Sequence, residues 1–113
     1  MVKTPRLLIE LYEIASQKEK IEYIQAAKGY SGLYLKGVKD PTYVTLRLRG
    51  IKQYFNDNVL LHIHRSYLVN PNKVLRVTQV SRMSHVIQLE TLQLPIGRSY
   101  LPLLRINYPH WFQ

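Results

Sequence analysis

Short runs in which apolar residues alternate with polar ones, separated by Gly, Pro, Asn and Asp, set the pattern of this chain. A period of two is the signature of a strand, whose side chains point alternately to two faces. It predicts strands over residues 6–14, 21–27, 33–36, 42–45, 59–63, 67–69, 74–80, 86–89 and 92–96. In the first of these, Leu7, Leu8, Leu11 and Ile14 also fit a helical face. Residues 28–32 (KGYSG) form a turn with two glycines open to positive φ, and 37–41, 70–72 and 81–84 are further breaks. Glu90 and Thr91 are short enough for a tight hairpin but lack the Gly or Asn it prefers.

Two stretches change period. In residues 46–55, Leu48, Ile51 and Phe55 fall three and four apart, which predicts a short helix containing Gly50. Residues 99–106 read as a C-terminal helix with Ser99 as N-cap and Pro102 in the first turn, where its missing N–H is not needed. The aromatic tail Tyr108, Pro109, His110, Trp111 and Phe112 either folds back on the core or covers a partner.

The strongest irregularity is His64-Arg65-Ser66, a knot of polar donors between two apolar strand segments. Such a knot is a displayed contact surface rather than core. Charge then enters. Of 113 residues, 16 are Lys or Arg and 7 are Asp or Glu, a formal net +9. Beyond residue 50 only Asp57 and Glu90 are acidic, against Lys52, Arg65, Lys73, Arg76, Arg82, Arg98 and Arg105. That imbalance on one folded domain points to a polyanion. At 46% hydrophobic the chain is long enough for one core but not comfortably for two. It has no cysteine, no apolar run of bilayer length and no apolar N-terminal leader, so a soluble cytoplasmic protein is expected.

Catalytic chemistries fit poorly. His62 and His64 share a strand face, but zinc needs a third or fourth ligand and none stands at a telling spacing. Ser66 lies near His64 without an orienting acid or a glycine-rich elbow. The glycines match no phosphate loop, and acids are too few for paired-carboxylate work. No enzyme, cofactor or metal is expected. Nucleic acid fits better. The predicted loops carry Lys28, Tyr30, Ser31, His64, Arg65, Ser66, Asn70, Asn72, Arg82, Arg98 and Ser99. Arg reads a guanine edge, Asn an adenine, and Lys, Ser and Tyr hold phosphates.

The run His64-Arg65-Ser66-Tyr67-Leu68-Val69-Asn70 resembles the hallmark segment of LytTR-type DNA-binding domains. Residues 21–26 (IEYIQA) with Gly29-Tyr30, and residues 94–101 (LPIGRSYL), are similar to that family's early strand and its closing strand with helix start. The resemblance implies a mainly β, elongated stack of small antiparallel sheets with one or two short helices. It also implies a bacterial transcription regulator that bends double-stranded DNA at repeated sites, often as two copies. Base contacts would come from the loop 28–31, from Arg65 and from Arg98, with Tyr30, Ser31 and His64 adding base or phosphate contacts. Gln25 stands where the family usually has an acid, Gly97 where it has Ser, and Lys28-Gly29 where it has Gly-Asn. The chain reads as a single domain without a receiver or membrane domain, either a free-standing regulator or part of a longer one. A protein-interaction module using the aromatic tail, or an RNA-binding β domain whose tyrosines stack on bases, are the alternatives.

Overall fold

A computed structural model describes residues 5–113. The chain builds α1 (Arg6–Ser16), β1 (Ile21–Ala27), β2 (Tyr30–Leu35), β3 (Thr42–Val44), α2 (Leu48–Lys52), β4 (Leu61–His64) and β5 (Tyr67–Val69). A 3-10 turn leads into β6 (Arg76–Ser81), β7 (Ser84–Gln88) and β8 (Gln93–Pro95). Another leads into α3 (Leu101–Asn107), and a third closes the tail. Strands β3-β2-β1-β5-β4 form one antiparallel sheet and β6-β7-β8 another. The molecule is elongated, 57 × 27 × 25 Å.

The five-stranded sheet is covered on both faces, so its strands carry apolar residues of both parities. Ile21, Ile24, Leu33, Leu60 and Leu68 join Ile14 of α1 and Leu48 and Ile51 of α2 in one core. Tyr23, Leu61, Ile63 and Val69 pack instead with Val77, Ile87 and Leu94 of the small sheet, Leu104 of α3 and Trp111. Adjacent residues such as Tyr23 and Ile24, or Leu68 and Val69, thus serve different cores, as the pleat requires.

Three expectations are corrected. Residues 6–14 are helix, not strand: Ile14 is fully buried, and Leu, Glu and Ala favour helix with no β-branched run to oppose it. Ser99 is not an N-cap. Arg98–Tyr100 form a 3-10 turn, α3 begins at Leu101, and no side chain caps it. Pro102 does occupy its first turn. The predicted helix over 46–55 is shorter as an α-helix, Leu48–Lys52, with Ile51 and Leu48 inward. The aromatic tail folds back. Trp111 is buried, stacked on Tyr108 at 4.0 Å, and the Arg105 guanidinium lies over Phe112 at 4.8 Å.

Gly50 needs none of its special freedom. Its φ is not positive, and a Cβ there would meet only Leu46 Cδ2 at 3.5 Å, an ordinary contact. Gly50→Ala is therefore expected to stabilise the fold by about 0.5–1 kcal/mol. The urea midpoint should rise at unchanged slope, and a fall would show hidden strain at this position.

A candidate nucleic-acid interface at the hairpin tips

Arg65 and Ser66 are the two-residue turn of the β4–β5 hairpin, with His64 opposite Tyr67. No non-glycine described residue has positive φ, so this is not one of the primed turns that match strand twist. The register accordingly shifts between His62 and His64, one extra residue on β4 making a bulge. His64 Nδ1 accepts the Ser66 backbone N–H at 3.0 Å and its ring meets Tyr67 edge-on at 5.6 Å. His64 is thus an internal clamp on the turn that presents the exposed Arg65.

The β1–β2 tip is Lys28 and Gly29, with Ala27 opposite Tyr30. Gly29 takes φ 76° while Lys28 does not turn positive, the sign pattern of a type II turn, where glycine belongs at this position. The two tips are tied, because Ala26 N–H donates to the Ser66 carbonyl at 2.9 Å. A third element joins them. Gly97 N–H donates to the Ile63 carbonyl at 2.8 Å, which seats the turn carrying exposed Arg98 and Ser99 beside β4. A Cβ at Gly97 would lie 2.8 Å from the Tyr100 ring, so the ring occupies the space that a larger residue would need. Lys28, Tyr30, Arg65, Arg98 and Ser99 are all exposed and share this end; His64 and Ser66 are half-buried between them.

Two expected contact residues are corrected. Ser31 is fully buried, and its hydroxyl donates to the Leu46 carbonyl at 2.6 Å. Asn70 is 3% exposed; its Oδ1 accepts Asn72 N–H at 3.0 Å, and its Nδ2 donates to the Ile21 carbonyl at 2.9 Å and that of Lys18 at 3.3 Å. Both side chains are engaged inside the protein.

Sequence reasoning missed part of the surface. An open hollow of about 660 Å³ at this end is walled by Tyr30, Arg65, Tyr100 and His62, and also by Arg47 and Arg49 at the start of α2. It has three arginines and no acid. The alternation Leu46-Arg47-Leu48-Arg49 held the signal: with Leu48 buried, its arginine neighbours turn outward. The segment before Arg47 is held by distant residues. The Glu10 carboxylate accepts Thr45 N–H (2.8 Å), Thr45 Oγ1–H (2.8 Å) and Leu46 N–H (3.2 Å), and Ser31 holds the Leu46 carbonyl.

At the floor of the hollow His62 stacks on Tyr100, ring centroids 5.2 Å apart, and its Nε2 is buried without a partner. Burial and then the Lys52 ammonium hold the His62 pKa below its usual 6.5; burial and then Arg65 do the same to His64. A histidine depressed on folding is neutral in the native state while the unfolded chain still binds a proton. Stability is therefore full above pH 6.5 and declines as pH falls through the lowered native values. The urea midpoint is expected to drop between neutral pH and about pH 5.5, less steeply in His62→Phe. An identical slope in that variant would remove His62 as a cause. No group of three or more His, Cys, Asp or Glu capable of holding an ion occurs among the described residues.

Two stacked antiparallel sheets with basic hairpin tips gathered at one end define a β-scaffold binding domain, and the comparisons say of which kind. The LytTr DNA-binding domain family model matches residues 14–107, so the chain belongs to the LytTR family of DNA-binding domains. A solved structure described as the LytTr DNA-binding domain of a putative methyl-accepting/DNA response regulator from Bacillus cereus has the same fold. It superposes with a TM-score of 0.68 at 16% identity, over 79% of this chain and 81% of that one. Comparison with curated proteins finds no match. No helix among the described residues is long and apolar enough to cross a membrane.

Proposed function

We propose that this domain binds double-stranded DNA sequence-specifically as a transcription regulator. Arg65 and Arg98 read base edges in neighbouring major grooves of a repeated, bent site. Lys28, Tyr30, Ser66 and Ser99 supply further contacts, and His64 fixes the turn that carries Arg65. The observation that carries this reading is the joining of three exposed tips by two backbone hydrogen bonds, Ala26 to Ser66 and Gly97 to Ile63. Rigid, pre-placed donors lose little freedom on binding, and an arginine fork on a hairpin tip has the reach to enter a groove. Arg47 and Arg49 lie in the hollow beside these tips and suit phosphates of the same duplex.

The test is selection of bound duplexes from a random pool. A recovered motif, repeated about one helical turn apart, supports the reading. No enrichment favours a protein-interaction module, and equal competition by single-stranded RNA favours an RNA-binding domain. Trp111 is buried and Phe112 packs partly against the core, which favours a structural role for the tail over a docking one. Arg47→Ala or Arg49→Ala should weaken all duplexes alike and lower the salt slope by about 1. A change of preferred sequence in these variants would instead make them base readers.

A further inference from the structure

Helix α1 buries one apolar edge against the domain and leaves further apolar residues exposed. Ile14 is fully buried and Glu10 and Leu11 are half-buried against the domain, yet Leu8, Ile9 and Tyr12 are 55%, 56% and 75% exposed. At about 100° per residue Leu8, Tyr12 and Ile9 form one stripe opposite Ile14. The helix cannot roll to bury them, because Ile14 is seated in the core and the Glu10 carboxylate is bonded to Thr45 and Leu46. Leu8, Ile9 and Tyr12 therefore stay exposed as a contiguous apolar stripe, and such a stripe marks an interaction surface.

Charge names the occupant. Lys3, Arg6, Lys18 and Lys20 balance Glu10, Glu13, Glu19 and Glu22, so the whole net +9 lies beyond Glu22. Two copies approaching by most other faces meet like charge; approaching by α1 they do not. Arg6 and Glu13 also lie beside Ile9 on one edge of the stripe, seven residues or about two turns apart. In an antiparallel pair about a twofold axis, Arg6 of each copy stands opposite Glu13 of the other, while Leu8 of each packs on Tyr12 of the other. Glu13 gives one carboxylate oxygen to the Gln17 amide and keeps the second free for this pairing.

We propose that the outer stripe of α1 is a self-association surface through which two copies of this chain pair antiparallel. None of its side chains lines the hollow at the hairpin tips, so the paired form leaves both sets of tips open.

Sedimentation equilibrium of the full chain without DNA tests this. The wild type is expected to show a reversible monomer–dimer equilibrium. The Leu8→Glu/Tyr12→Glu double variant, whose changes lie at exposed positions, is expected to raise the dimer Kd at least about tenfold with an unchanged circular dichroism spectrum. Arg6→Glu and Glu13→Arg should each weaken the dimer, and the two together should restore it. A wild type that stays monomeric at every concentration overturns the proposal, as does a double Glu variant that dimerises normally. Failure of the charge reversal to restore pairing overturns the antiparallel arrangement. These measurements contain no DNA, so their failure is separable from failure of the DNA-binding reading, which is read by affinity for a single-site duplex.

Discussion

Arg65→Ala is expected to weaken binding to a selected duplex by about 1–3 kcal/mol and to relax preference at one base pair, and Arg98→Ala to do the same at a different base pair. The size follows from placement. Arg65 is exposed at the apex of a two-residue turn whose amide is held by His64 and whose carbonyl is held by Ala26. Arg98 opens a 3-10 turn pinned by Gly97 to β4. Neither side chain packs in a core, so the alanine variants should unfold as the wild type does, and lost affinity is lost contact. The two lie on separate elements, so if each reads its own base pair as proposed, the double variant should lose about the sum. Arg65→Lys separates the roles. It keeps the charge and the salt slope but loses the planar fork, so sequence preference should fall more than total affinity. Binding assays over a salt series with cognate and scrambled duplexes check this. Wild-type affinity and preference in both alanine variants would remove these arginines from the interface.

Asn70→Ala is expected to act on stability instead, by about 3 kcal/mol. The side chain satisfies three main-chain groups, the N–H of Asn72 and the carbonyls of Ile21 and Lys18, and truncation leaves buried groups unpaired. The bond to Asn72 is also the cap of the 3-10 turn Pro71–Lys73. Asn70→Asp keeps the acceptor for Asn72 but sets a carboxylate against two carbonyls, so it should be no better tolerated. Urea denaturation reads the loss as a shifted midpoint at constant slope. Affinity corrected for the folded fraction should stay at the wild-type value. A drop in corrected affinity with stability intact would restore Asn70 as a DNA contact.

The two predictions divide the hallmark run His64-Arg65-Ser66-Tyr67-Leu68-Val69-Asn70 by physical task. Arg65 is displayed; His64 and the Ser66 backbone shape the turn. Tyr67 is half-buried and packs against the sheet core, Leu68 and Val69 fill opposite cores, and Asn70 ties the strand end to the start of β1. A run of adjacent residues that looks like one motif is several roles in series, because a strand turns successive side chains to opposite faces.

What the sequence determined by itself was local and periodic. Alternation placed all eight strands within a few residues, Gly29 marked its turn, and the basic excess beyond residue 50 pointed to a polyanion. The family resemblance rested on contiguous residues and needed no contact map. Only the tertiary structure decided what depends on partners far along the chain. Ser31 looked like a loop donor until Leu46, fifteen residues away, claimed its hydroxyl, and Asn70 until Ile21, forty-nine away, claimed its amide. Arg47 and Arg49 entered the basic hollow because Glu10 and Ser31 hold the segment before them. For α1, both periods fit the letters. The helix is decided by Ile14 finding the core beside α2 and by Glu10 finding three donors, contacts that no local pattern encodes.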